Sequence, residues 1–160
     1  MLGLGNPMLS DDGVGIRVVR ALACDPRCHG VDVAEASIGG LRLLDLIVGY
    51  DVVVLVDAIQ TSGGRPGEVY RLRATDVPTT LHSGCSHDLS LTSALWLGRG
   101  LHMQLPSDDT IRVVAVEAAD VQTFAESCTS HVACAISVAV EAVLQELALF
   151  ELCRPRNPRS

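Results

Sequence analysis

Hydrophobic positions fall into short aliphatic runs separated by stretches with helical spacing. The clearest run is Asp51-Val-Val-Val-Leu-Val-Asp57. Its consecutive aliphatics, bounded by acids, predict a strand buried on both faces near the middle of a sheet, with Asp57 at its carboxyl end. Ile111-Arg-Val-Val-Ala-Val-Glu117 predicts another core strand ending in an acid, and residues 31–36 predict one more. Gly67-Glu-Val-Tyr-Arg-Leu-Arg73 alternates apolar with polar, the pattern of a half-exposed antiparallel edge strand. Apolar residues recur at helical spacing in four places: 16–22, 41–47, a segment that starts near Ser86 and runs to Leu97, and 131–150. Met1-Leu-Gly-Leu4 predicts a first strand shorter than the usual length of about five residues. It is therefore expected either to be clipped or to continue upstream of Met1.

The order strand, helix, strand, helix, strand, strand, helix, strand, helix predicts a three-layer α/β/α sandwich. Its sheet is mostly parallel and five-stranded, with one antiparallel edge strand. The 160 residues are expected to form a single domain over 1–152, with 153–160 as a disordered tail. Nearly half the residues are apolar but only 3% are aromatic, so the core has to be built from Val, Leu, Ile and Ala. A formal charge of −7 argues against a broad nucleic-acid or anionic-membrane footprint, so neither partner is expected. The greasiest segment, 132–150, is interrupted by Glu141, Gln145 and Glu146, which fits a core or amphipathic helix rather than a membrane span. No charged leader followed by an apolar stretch opens the chain, so a cytoplasmic location is expected. The six cysteines are then expected to be reduced. Cys24, Cys28 and His29 lie close in sequence, as do Cys128, His131 and Cys134, but neither group has the C-x-x-C spacing of a zinc knuckle.

The densest chemistry lies near the amino terminus, in Gly3-Leu-Gly-Asn-Pro-Met-Leu-Ser-Asp-Asp-Gly-Val-Gly15. Gly3 and Gly5 suit a tight strand exit that needs positive φ or close backbone approach, and Asn6-Pro7 marks a turn. Ser10, Asp11 and Asp12 are successive N-cap candidates. A dinucleotide fingerprint fails at its third glycine, which here is Met8. Asp11 and Asp12 would also repel a pyrophosphate. The same carboxylates suit a cation; the alternative is that one caps the helix and the other is solvated. Asp57 could serve as a turn cap, and His87, in the first turn of its helix, as an ordinary hydrogen-bonded side chain. Together, Asp12, Asp57 and His87 come from three separate loops that the fold could bring to one sheet edge. Two carboxylates and an imidazole form an open site for a first-row divalent metal.

The three motifs Gly3 to Gly15, Val54-Leu-Val-Asp57-Ala-Ile59 and Cys85-Ser-His87-Asp-Leu-Ser-Leu91 resemble those of the hydrogenase maturation proteases. These endopeptidases trim the carboxyl-terminal extension of the large subunit of nickel-iron hydrogenases. The resemblance runs from Gly3 to about Leu149. It implies a peptidase with Asp12, Asp57 and His87 as both its metal-binding and its catalytic residues. The metal would be nickel supplied transiently by the substrate, with no permanent cofactor. The implied partner is the hydrogenase large-subunit precursor, met by a monomer. The sequence departs from the family pattern at Ile38, where a threonine is usual, and at Ala118 and Ser130, where prolines are common. Cys85 lies two residues from His87 but has no evident activating partner. Two other readings stand beside this one. One is a nucleotide-binding module using Gly3, Gly5 and Glu35. The other is a silent family member that binds the precursor without cutting it.

Overall fold

The computed structural model describes residues 1–37, 41–77 and 91–153, with backbone only for the last three. Five strands form one sheet in the order β2-β1-β3-β5-β4. They are β1 (Leu2–Leu4), β2 (Ala34–Ala36), β3 (Val53–Ile59), β4 (Val69–Arg73) and β5 (Ile111–Glu117). All pairs are parallel except β4 with β5, which places the antiparallel strand at the edge its alternating pattern predicts.

The helices α1 (Val14–Ala23), α2 (Arg42–Ile47), α3 (Leu91–Gly100) and α4 (Ser130–Cys153) divide between the two faces of the sheet. The division follows from the two-residue period of a strand. Val54, Val56 and Ala58 of β3, with Val114 and Val116 of β5, pack with α1 and α4. Val53, Leu55, Ile59, Ile111, Val113 and Ala115 pack with α2 and α3. Both central strands therefore have to be aliphatic on both sides, which is why they read as unbroken runs.

Several strand boundaries differ from the sequence expectation; β4, for one, starts at Val69 rather than Gly67. β2 spans Ala34–Ala36 rather than 31–36, because at this edge it pairs only with the three-residue β1. β3 continues two residues beyond Asp57 to Ile59, because β5 runs alongside it as far as Glu117. β1 is short but lies between β2 and β3 and is buried throughout.

Helix α4 is long and apolar enough by composition to cross a bilayer. Here Val132, Ala135, Ala139, Ala142 and Val143 form a buried stripe at helical spacing against the sheet. Its later turns carry Glu146, only 4% exposed. Arg71 of β4 reaches one Glu146 oxygen at 2.6 Å, and Arg112 of β5 reaches the other at 3.3 Å. The Arg112 guanidinium also lies 5.2 Å from the Phe150 ring centre. This buried acid fastens the antiparallel edge to the helix layer. Cys153, where the expected tail begins, is the last residue of α4, and 154–160 lie outside the described residues.

Candidate metal and peptidase site

Successive connections leave β1 toward β2 on one side and place β3 on the other, so the strand order reverses between β1 and β3. In open α/β sheets the crevice at the carboxyl ends of such a pair is where ligands collect. Three glycines draw the start of α1 down onto that crevice. Gly5 has φ +119°, and a Cβ there would lie 1.8 Å from the Asp12 carbonyl oxygen. A Cβ on Gly15 would lie 2.2 Å from the Val56 carbonyl and 2.4 Å from that of Leu4; one on Gly3 would meet the Gly15 carbonyl at 2.5 Å. Only glycine permits this approach. As a result the 3-10 turn Ser10–Gly13, which carries Asp12, packs against β3.

Asp12 does not cap α1. The cap residue is Gly13, with no side-chain hydrogen bond. Instead an Asp12 carboxylate oxygen accepts the Asn6 N–H at 2.6 Å, folding the glycine-rich loop around the acid. Asp57, on β3, is 2% exposed and accepts the Ala58 N–H at 2.8 Å. By alternation it shares a face with Val53, Leu55 and Ile59, the face covered by α2 and α3. His87 lies outside the described residues. The described part of α3 runs from Leu91, four residues later, and Leu91, Ala94 and Leu95 pack on the same face as that occupied by the neighbours of Asp57. The structure thus joins the elements carrying Asp12 and Asp57 at one rim.

Two buried acids nearby have structural duties. Asp11 is fully buried, and its carboxylate accepts four hydrogen bonds. They come from the N–H groups of Ala119 (2.9 Å), Asp120 (3.0 Å) and Thr129 (2.7 Å) and from the Thr129 hydroxyl (2.9 Å). The expectation of an N-cap is corrected here too: Asp11 ties the loop before α4, not α1. Glu117 closes β5 with both oxygens engaged, by the Thr61 N–H at 2.6 Å and the Thr61 hydroxyl at 2.9 Å. A Cβ on Gly64 would come 2.1 Å from the Glu117 carboxylate carbon, so that glycine makes room for it. The acid at the end of a core strand was a visible sequence signal for Glu117. Asp11 had none that separated it from Asp12.

A family model described as "HycI: Hydrogenase maturation protease" matches residues 16–146. The chain belongs to the hydrogenase maturation protease family. Its relatives include the hydrogenase 2 maturation protease of Escherichia coli, 31% identical over 99 residues, a match spanning 59% of this chain and 59% of that protein's length. Among solved structures, the hydrogenase maturating endopeptidase HybD from E. coli superposes with a TM-score of 0.72 at 28% identity, covering 95% of this chain and 91% of that one. The solution structure of an endopeptidase from Escherichia coli gives 0.76 at 27%, covering 93% and 91%.

In this family member the residues of the nucleotide alternative are otherwise engaged. The Glu35 carboxylate, which would have to take a ribose, is held by both Arg20 Nε at 2.8 Å and Arg20 Nη2 at 2.7 Å. Asp12 occupies the space beneath Gly5. Among the described residues, no three His, Cys, Asp or Glu side chains are gathered closely enough to hold a metal ion. Cys24, Cys28, Cys128 and Cys134 are free thiols. Burial, the largest influence, raises the pKa of both the Cys28 and the Cys128 thiol, which suits packing rather than nucleophilic roles.

Proposed function

We propose that this protein is an endopeptidase that removes the carboxyl-terminal extension of a nickel-loaded nickel-iron hydrogenase large-subunit precursor. The observation that carries the reading is the packing of the Asp12 turn against the strand of Asp57, at the switch point of a maturation protease fold. The relatives named as hydrogenase maturation proteases and endopeptidases support it.

In this reading Asp12, Asp57 and His87 take hold of nickel that arrives with the precursor, so the metal is part of the substrate and not a resident cofactor. Two carboxylates at a sheet edge supply negative charge to a cation, and an imidazole supplies a borderline nitrogen donor that suits nickel. Holding the ion fixes the adjoining peptide segment against the rim, which turns metal recognition into positioning of the scissile bond. A carboxylate at that rim can also take a proton from an attacking water, the acid–base role of an aspartic-type peptidase. The protein acts in the cytoplasm as a monomer.

Purified protein is incubated with apo and with nickel-loaded precursor, and the large subunit is weighed by intact mass spectrometry. A shortened product only with nickel is expected, and its loss in Asp12→Asn, Asp57→Asn and His87→Ala. An unchanged mass with both precursors overturns the reading in favour of binding without cleavage.

A further inference from the structure

Two large apolar side chains stand exposed at the rim that carries Asp12. Met8 is 56% exposed and Phe124 80%. They come from distant segments, yet a parallel bridge between Leu9 and Ala125 places them side by side. The Ala125 N–H donates to the Met8 carbonyl at 3.0 Å, and the Ser10 N–H donates to the Ala125 carbonyl at 2.9 Å. Arg17 of α1 ties the two segments again, donating to the carbonyls of Pro7 and Glu126. Directly after Leu9 and Ser10 comes Asp11, whose four hydrogen bonds hold residues 119, 120 and 129. Met8 and Phe124 therefore stand on backbone fixed from both sides, which distinguishes them from apolar residues on a loose loop tip.

We propose that Met8 and Phe124 form a ledge that docks an apolar side chain of the large-subunit precursor next to its cleavage point. This rests on the peptidase reading above. Continuity with the candidate site identifies the occupant. Met8 and Asp12 belong to one loop, which is closed on itself by the Asn6 N–H bond to Asp12. A polypeptide whose reacting bond lies at Asp12 must cross the same rim. Trp96 on α3 and Val138 on α4 are also exposed, but they lie on the helix layers and not on this loop. Asp120 and Glu126 lie on the Phe124 segment and the Arg17 guanidinium bonds both segments, so charge of both signs borders the ledge and its selectivity is for an apolar side chain. A fixed apolar pair at a rim, bordered by charge, has the anatomy of a small interface centre.

The test uses Met8→Ser, Phe124→Ser and the double variant, with Met8→Leu and Phe124→Leu as apolar controls. Cleavage kinetics on nickel-loaded precursor and its binding to each protein, by titration calorimetry, are measured together. The serine double variant is expected to raise KM and Kd about tenfold with kcat unchanged, and the leucine variants to restore both. A double variant whose Kd and KM stay within about twofold of wild type overturns the ledge, as does a fall in kcat alone. If the wild type binds the precursor without cutting it, the peptidase reading fails while the Kd comparison still decides the ledge. If the wild type does not bind, both fail.

Discussion

Replacing Asp11 by alanine isolates the contribution of one buried carboxylate to the whole rim. The substitution removes the acceptor for the N–H groups of Ala119, Asp120 and Thr129 and for the Thr129 hydroxyl, all now within 2.7 to 3.0 Å of it. A buried donor left without a partner costs about 1–3 kcal/mol. Water can reach some of these groups after the change, because Ala119 lies at the surface. The sum therefore shrinks to about 3–5 kcal/mol, the range for breaking a buried charged network. Against a total stability of about 5–15 kcal/mol, that is a large fraction. Urea unfolding followed by circular dichroism measures it, as a lower midpoint with an unchanged slope. Asp11→Asn should recover only part of the loss, since one of its two polar ends becomes a donor facing donors. Asp12→Asn, one residue along the same turn, should leave the protein folded while abolishing cleavage. A loss below about 1 kcal/mol for Asp11→Ala would show that the four contacts are dispensable and refute the assignment of Asp11 as the anchor.

Three further outcomes follow from the same structure. Gly15→Ala forces a methyl to 2.2 Å from the Val56 carbonyl, and rigid backbone on both sides leaves nowhere to move. A loss of about 3 kcal/mol or more is expected in thermal unfolding, and a variant as stable as wild type would contradict the close packing. Asp120 has its pKa lowered, chiefly by the Thr123 hydrogen bond and then by the N–H groups of Gln122 and Thr123. A lowered folded-state pKa contributes stability that is present above the unfolded value and lost as pH falls through the folded one. Urea midpoints should therefore drop below about pH 4, and less steeply in Asp120→Asn; identical acid limbs would refute this. At neutral pH, iodoacetamide should label the exposed Cys24 and Cys134 quickly. Cys128, its pKa raised by burial, should react slowly. Peptide mass spectrometry showing equal rates would contradict its packing.

The aliphatic runs of β3 and β5, and the alternation in β4, were enough to specify a mostly parallel sheet with one antiparallel edge. A strand covered on both faces has no other way to be written, and a half-exposed one must alternate. Gly3 and Gly5 were legible for a similar reason, since positive φ and close approach admit almost nothing else. Gly15 was less so: the carbonyl groups that exclude a side chain there belong to Leu4 and to Val56. The ends of β2 and β3 were set by the strands beside them.

The candidate site divides along the same line. Its location at the ends of strands could be inferred from Asp57 and from the loop after β1, because ligand chemistry collects where parallel strands finish. The different fates of Asp11 and Asp12 could not. Two adjacent acids before a helix look alike to any local rule: both were N-cap candidates and both suited a cation. What separates them is a set of donors more than a hundred positions further along the chain, which only chain folding carries to Asp11. The pairing of Met8 with Phe124 is of the same kind: a bridge between distant segments turns two unrelated exposed residues into one surface. Local sequence determines what each segment must bury, and tertiary structure determines which polar partner is within reach.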